Sequence, residues 1–461
     1  MLSSVIRFVA RSCSPARGIR RRRATVARRF GFAAVTIAAI GGTVACGEVS
    51  DEQVRLLIED NRQMRLMIER QREELDELRG LVEGLTGTGQ PNIASPKVRM
   101  AEPALAITTS ANDSRRVIVS GQAGLAFFAG QSENSFRNAE FRVDDAAVNL
   151  EANLANRTYF FSELYLTRRE TSEETVRMGE VYVDFENVSG LWGADGLVSL
   201  RFGRIDIPFG EEYMRRDPIA NPLVTHSLSD IWGIDEGVEI YGAVGPASYV
   251  FAVQNGSHKE LHDFNADKAL TGRIGFSPAR GWQLSASAMR TGDLDAEREP
   301  LSEAWIGNSF FRPIGSPATT LYRANLAGID ARYDWRAGHL AAAAGLASYS
   351  DNDPIADSRR RLDFFHVEAV QSLSRTFYGA VRYSELRADR GYPIAGLGKM
   401  GKYFFGGLHT KELWRLGLGL GYRPSPRLLL KAEYTFEEGE LIDGTPRRNT
   451  NQFSTEAAVQ F

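Results

Sequence analysis

The chain has 461 residues, a formal net charge of −3, 43% hydrophobic residues and 44 glycines. The near-neutral balance excludes a basic surface of the kind that holds nucleic acid. No apolar run beyond residue 45 approaches the roughly 20 residues of a transmembrane helix, which leaves a soluble body or a β-barrel whose strands give lipid only alternate side chains.

Residues 1–45 read as an export signal. Arg20 to Arg23 with Arg28 and Arg29 form a positive region, 30–42 is an apolar core of about 13 residues, and Thr43-Val44-Ala45 is a small-residue cleavage site. Arg28-Arg29 hints at twin-arginine export, but the residues that follow fit that pattern poorly. Cys46 stands where a lipoprotein carries its acylated cysteine, although Thr43 replaces the usual leucine. Cys13 and Cys46 are the only cysteines, so the body of the protein has no disulfide or thiolate metal site.

Residues 51–86 carry a heptad repeat with Val54, Leu57, Asn61, Met64, Ile68, Gln71, Leu75, Leu78, Val82 and Leu85 at a and d. This predicts a coiled-coil helix of about 48 Å with Asn61 fixing the register; a single amphipathic helix on another surface is the plainer alternative. Residues 87–115, rich in Gly, Pro, Ser, Thr and Ala, read as a linker.

From 116 to 461 the texture changes to segments of about ten alternating residues. Sixteen are legible, near 117–128, 140–153, 158–167, 176–187, 197–207, 237–244, 248–255, 268–276, 282–290, 321–333, 339–349, 361–371, 376–386, 413–422, 427–436 and 451–461. Tight turns such as Gly245-Pro246-Ala247 and Arg423-Pro424-Ser425-Pro426 alternate with long polar loops at 211–235, 256–267, 291–320, 350–360, 387–412 and 437–450. Long loops at one end and short turns at the other are the signature of an all-β transmembrane barrel of 16 antiparallel strands, with both termini on the periplasmic side. The apolar faces, for example Trp414, Leu416, Leu418, Leu420 and Tyr422, suit outer-membrane lipid, and the charged faces require a wet lumen.

Between two such strands lies Gly203-Arg204-Ile205-Asp206-Ile207-Pro208-Phe209-Gly210, followed by a long polar excursion with Glu211, Glu212, Arg215, Arg216, Asp217, His226 and Asp230. We read this excursion as a loop folded into the lumen, where it forms a pore constriction. By alternation the lumen wall carries Arg201, Arg273, Arg382, Arg415, Lys431 and Glu433, joined by Glu151, Glu163, Glu180, Asp184, Glu368 and Glu456. A wall of mixed sign suits the transverse field of a general porin.

The Gly-Arg-x-x-x-Pro-Phe motif, the long third external loop after it and the terminal aromatic Phe461 together resemble the phosphate-selective porin O and P family. The resemblance covers about 117–461. It implies a sixteen-stranded outer-membrane porin, a trimer, a third loop that narrows the pore, and a C-terminal Phe461 read by the barrel-assembly machinery. The family's arginine ladder and lysine cluster are not matched residue by residue. The implied activity is therefore passive diffusion of small hydrophilic solutes or ions, anions such as phosphate among them. β-branched residues at a with Leu at d lean toward a two-stranded coil, whereas the barrel resemblance points to a homotrimer.

Catalytic signals are few. No nucleophile elbow, phosphate-binding glycine loop or zinc signature is present, and no cofactor is expected. His258 and His262 sit at i and i+4 in an external loop without a third ligand, and His226 with Ser227 or Ser229 is the one local acid–base pairing in the inward loop. We read both as polar loop chemistry. Two other classes stay open: a structural envelope tether, in which the barrel anchors a periplasmic coiled coil, and an outer-membrane enzyme, which a serine- or metal-reactive probe would label.

Overall fold

The computed structural model describes residues 105–108, 116–134, 136–167, 176–256, 263–299, 305–306, 309–311, 318–388, 390–391, 394–395 and 410–461. The export signal, Cys46, the coiled coil and the 258–262 stretch lie outside them.

Sixteen antiparallel strands close into a barrel. In chain order they are β1 (Arg116–Gly130), β2 (Glu140–Ala155), β3 (Thr158–Thr167), β4 (Arg177–Phe185), β5 (Ser199–Asp206), β6 (Ile234–Val244), β7 (Ala247–Gln254), β8 (Ala269–Phe276), β9 (Trp282–Arg290), β10 (Leu321–Trp335), β11 (Gly338–Asp351), β12 (Arg360–Ser372), β13 (Phe377–Arg387), β14 (Thr410–Ser425), β15 (Leu428–Leu441) and β16 (Gln452–Gln460). Each pairs with the next. β1 closes the ring on β16 with Gln122 opposite Gln460, and the Phe461 amide and carbonyl complete the seam on Gly121 at 3.0 and 3.1 Å. Every strand coincides with a segment expected from alternation. Within the stretch read as linker, Leu105–Thr108 forms one further strand, paired with β1 at 116–119 just beyond the end of β16.

The exterior is apolar. Leu125, Phe141, Phe251, Ile274, Ile329, Leu340, Val367, Leu418 and Phe453 are exposed on alternate positions of their strands. Rings gather at the short-turn end, where Trp282 lies 4.8 Å from Tyr333 and Phe377 4.6 Å from Tyr422. Such a surface is stable only against lipid, with aromatics at the interface. The short-turn end has one long connection, 186–198, which holds a 3-10 turn (Val188–Trp192) with exposed Leu191 and Trp192.

The interior differs from a uniformly wet lumen. Its long-loop half is packed with side chains: Phe128, Met289, Leu294, Tyr322, Leu326, Leu362, Phe364, Leu386 and Leu413 close on Ile207, Phe209, Val224, Leu228 and Ile231 of the β5–β6 connection. At about 2 kcal/mol for each large apolar side chain removed from water, the five loop residues contribute on the order of 10 kcal/mol to holding that segment inside. A four-stranded antiparallel sheet joins three connections at the same end: Ile231–Trp232 pairs with Trp305–Ile306, which pairs with Ser309–Phe311, which pairs with Ile394–Ala395.

Candidate functional site: a loop threaded through the barrel

The inward turn begins in the glycine-bearing motif. Gly203 has φ +139, and a Cβ there would run into the Val181 carbonyl of β4, so only glycine permits this strand pairing. Gly210 has φ +72 and redirects the chain after Pro208-Phe209. The wall receives the turn at once. The Gly210 amide donates to Ser287 Oγ at 3.0 Å, Arg273 donates to the Gly210 carbonyl at 2.9 Å, and Arg273 pairs with Glu211 at 3.0 Å. Residues 207–233 then touch the inward face of the barrel from β8 round to β1, which places the segment inside the lumen.

On the far side four cations and one carboxylate take up its backbone; one of the cations, Arg423, donates to the Ile219 carbonyl at 2.8 Å. Lys431 donates to the carbonyls of Pro218 (2.9 Å), Asn221 (3.2 Å) and Leu223 (2.9 Å) and pairs with Glu456. Arg382 donates to the Thr225 carbonyl at 2.7 Å and the Asn221 side chain at 2.9 Å while paired with Glu368. Arg415 pairs with Glu437 at 2.6 Å and reaches the His226 carbonyl at 3.3 Å. Glu433 accepts from the amides of Val224 (2.7 Å) and Thr225 (2.8 Å) and from Thr225 Oγ (2.7 Å). The wall residues expected to line an open pore are thus turned onto the loop. Arg201 is the exception: it pairs with Asp184 (2.8 Å) and Glu239 (3.2 Å) and lies 4.3 Å over the Tyr182 ring, and Glu163 and Glu180 are likewise buried.

The loop charges divide. Arg216 pairs with Asp230 and stacks 4.8 Å over Trp232; His226 donates from Nε2 to the Arg216 carbonyl at 3.2 Å, with Nδ1 3.7 Å from Asp230. Asp217 accepts from Gln122 of β1 at 2.7 Å. Glu212 accepts from the Ser227 amide and hydroxyl and lies 3.6 Å from His366. Arg215 faces a cavity of about 280 Å³ in the short-turn half of the lumen, lined by the loop and by β9 to β13. Glu211, Glu212, Asp330, Arg332, His339 and Glu368 face it too.

Ser229 bonds Nδ1 of His366, 137 residues away, at 2.7 Å, and the Ser227 hydroxyl donates to Glu212. Glu212 approaches that same ring nitrogen, so the imidazole cannot accept a serine proton on one nitrogen while a carboxylate orients the other, as a hydrolytic triad requires. Sequence reasoning missed His366 because a lone histidine on an alternating strand carries no local signal. A glycine run was the missed signal for the loop's course. Gly417 and Gly419 face inward on β14; a side chain at Gly419 would run into Leu223, and one at Gly417 into the Glu433 carboxylate that holds the loop.

No family model matches the chain, and no curated protein matches it either. Solved structures do. In-vitro folded OmpT, an outer membrane protein of Vibrio cholerae, aligns over 78% of this chain and 100% of its own, with 10% identity and a TM-score of 0.51. The outer membrane channel DcaP of Acinetobacter baumannii aligns over 75% of this chain and 97% of its own, with 13% identity and a TM-score of 0.50. A trimer form of the Vibrio protein gives 76% and 100%, with 10% identity and a TM-score of 0.50. At these identities the likeness is one of fold: the closed antiparallel barrel of outer-membrane proteins.

Proposed function

We propose that the protein is an outer-membrane channel for passive diffusion of small hydrophilic solutes and ions, with residues 207–233 limiting flux. The observation that carries this reading is the cavity of about 280 Å³ on the short-turn side of the inward loop, with several ionisable side chains in its lining, inside a barrel whose exterior is apolar. Ionisable groups lining a lumen are costly unless they act on what enters it. The barrel stands in the outer membrane of a Gram-negative-type bacterium with its N-terminal segment in the periplasm, Phe461 presented to the assembly machinery, and three copies associating through the barrel. The trimer form of a similarly folded protein supports the last point. Anions such as phosphate are admitted by Arg215 and Arg332, but the carboxylates beside them argue against strong selectivity for phosphate.

Planar-bilayer recording of the purified protein tests the reading. Discrete conductance steps are expected, and they should grow when residues 212–230 are replaced by a short glycine-serine link. A folded barrel that conducts in neither form would refute the channel. The packed long-loop half of the lumen favours one second reading, a barrel that anchors a periplasmic coiled coil, and the same null conductance would select it.

A further inference from the structure

We infer that the cavity under the inward loop is a binding site for small zwitterions: amino acids and related aminocarboxylates of a few heavy atoms. The inference rests on the channel reading only in that solute must reach the cavity.

Most charged groups around the cavity already have partners. Glu211 holds Arg273, Glu212 holds Ser227, Arg332 holds Asp334, and Glu368 holds both Arg382 and His339. Two do not follow that pattern. Arg215 makes a single contact, 3.4 Å from the neutral Gln283 amide oxygen. Asp330 accepts from Ser285 Oγ at 3.2 Å and the Glu211 amide at 3.3 Å but is bonded to no cation. One guanidinium and one carboxylate therefore face the same small space with no counter-ion hydrogen-bonded to either.

Their spacing follows from the strand register. On β9 and β10, Gln283 stands opposite Arg332, and Ser285 stands opposite Asp330. The contact of Arg215 with Gln283 and that of Asp330 with Ser285 are thus one inward-facing step apart, about 6.7 Å along the wall. That exceeds salt-bridge reach, and the two side chains do not bond each other. A molecule with a carboxylate at one end and an ammonium at the other can answer both at once.

Charge decides the class of ligand. A plain anion at Arg215 also meets Asp330, Glu211 and Glu212. A plain cation at Asp330 also meets Arg215 and Arg332. Only a ligand carrying both signs gains two charge-assisted contacts and removes the cost of two partly dehydrated charges left without partners. Size sets the rest. About 280 Å³ lies at the lower edge of ligand pockets, which excludes large solutes.

The test uses the full-length protein in detergent and three probes of matched length: 4-aminobutyrate, butyrate and butylammonium. Binding is followed by titration calorimetry, and bilayer conductance is recorded in parallel. One extra charge-assisted contact should make 4-aminobutyrate bind about tenfold or more tightly than either single-charge probe. Asp330→Asn should bring 4-aminobutyrate down to the level of butyrate without weakening butyrate. Arg215→Gln should bring it down to the level of butylammonium without weakening butylammonium. A misfolded barrel would lose every probe alike, and the ranking on the native protein stands without either variant. Butyrate binding as tightly as 4-aminobutyrate would make this an anion site and overturn the proposal, as would no saturable binding by any probe. Selective binding without conductance would keep the site and refute the channel; conductance without selective binding would do the reverse.

Discussion

Glu433→Ala is the sharpest perturbation of the inward loop. The Glu433 carboxylate accepts three bonds from Val224 and Thr225, at 2.7 to 2.8 Å. Leaving the two buried amides without an acceptor costs about 1–3 kcal/mol each. A middle value of about 4 kcal/mol for the two together is a factor of roughly 1000 in the population of the locally detached segment. The loop as a whole should stay. Lys431 still holds the Pro218, Asn221 and Leu223 carbonyls, Arg382 still holds Asn221, and the apolar contacts of Phe209, Leu228 and Ile231 remain. Amide exchange at Val224 and Thr225 should therefore accelerate by about 1000-fold while the strand amides keep their protection. Glu433→Gln, which retains an acceptor oxygen but no charge, should fall between. The noise of the open channel should rise along the same series. Protection that changes less than tenfold at both amides in a folded Glu433→Ala barrel would show that the wall does not hold the loop through this carboxylate.

Three further outcomes follow from the same geometry. Arg215→Gln should move the reversal potential toward cations, whereas Arg216→Gln should move it little and instead lower the unfolding midpoint. Arg216 is neutralised by Asp230 and stacked on Trp232, so its loss costs about 3 kcal/mol of stability and leaves a buried carboxylate uncompensated. Leu228→Ala, at a fully buried position, should cost about 2–5 kcal/mol, read as a lower midpoint in heat-modified gel mobility. In the external 352–359 loop, hydrogen bonds from the Arg359 side chain and amide, with Arg390 beside them, bring Asp357 down to about 2. The contact it makes with Arg390 at 3.1 Å is therefore fully present above the ordinary carboxylate range and is lost as pH falls through that lowered value. The carboxyl resonance of Asp357 should titrate near 2, and Arg359→Ala should move its midpoint back up.

The barrel was legible because its determinants are local. Alternation marks the two faces of each strand, turn residues mark the short end, and Gly203-Arg204-Ile205-Asp206-Ile207-Pro208-Phe209-Gly210 marks the place where the chain leaves the wall. Arg215 and His226 line the cavity under the loop, whereas Arg216 turns away to Asp230 and Trp232. Their partners could not be read. Glu433 lies 208 residues from Thr225 and Arg382 lies 157, and no periodicity links such positions. Alternation also says which side chains point inward without saying whether water or protein meets them. Leu362 and Phe364 point inward near the long-loop end of β12, where a wet lumen would carry polar residues. That inward apolar pair was the available sign of a dry half-lumen.

The division of the lumen bears on how a solute could pass. The long-loop half is closed by apolar packing worth on the order of 10 kcal/mol and by the sheet joining the 207–233, 291–320 and 388–409 connections. Displacing all of it in one step would leave the open form far too rare to carry current, since 5.5 kcal/mol already shifts a two-state balance by about 10,000-fold. The anchors are separable, however. The carbonyl clamp on Lys431, the amide clamp on Glu433 and the Ser229–His366 bond grip different parts of the segment. Each can open at the cost of its own few kcal/mol while the others hold. If the barrel conducts, passage in this form goes alongside the loop through local opening and by way of the cavity at Arg215 and Asp330 on the short-turn side.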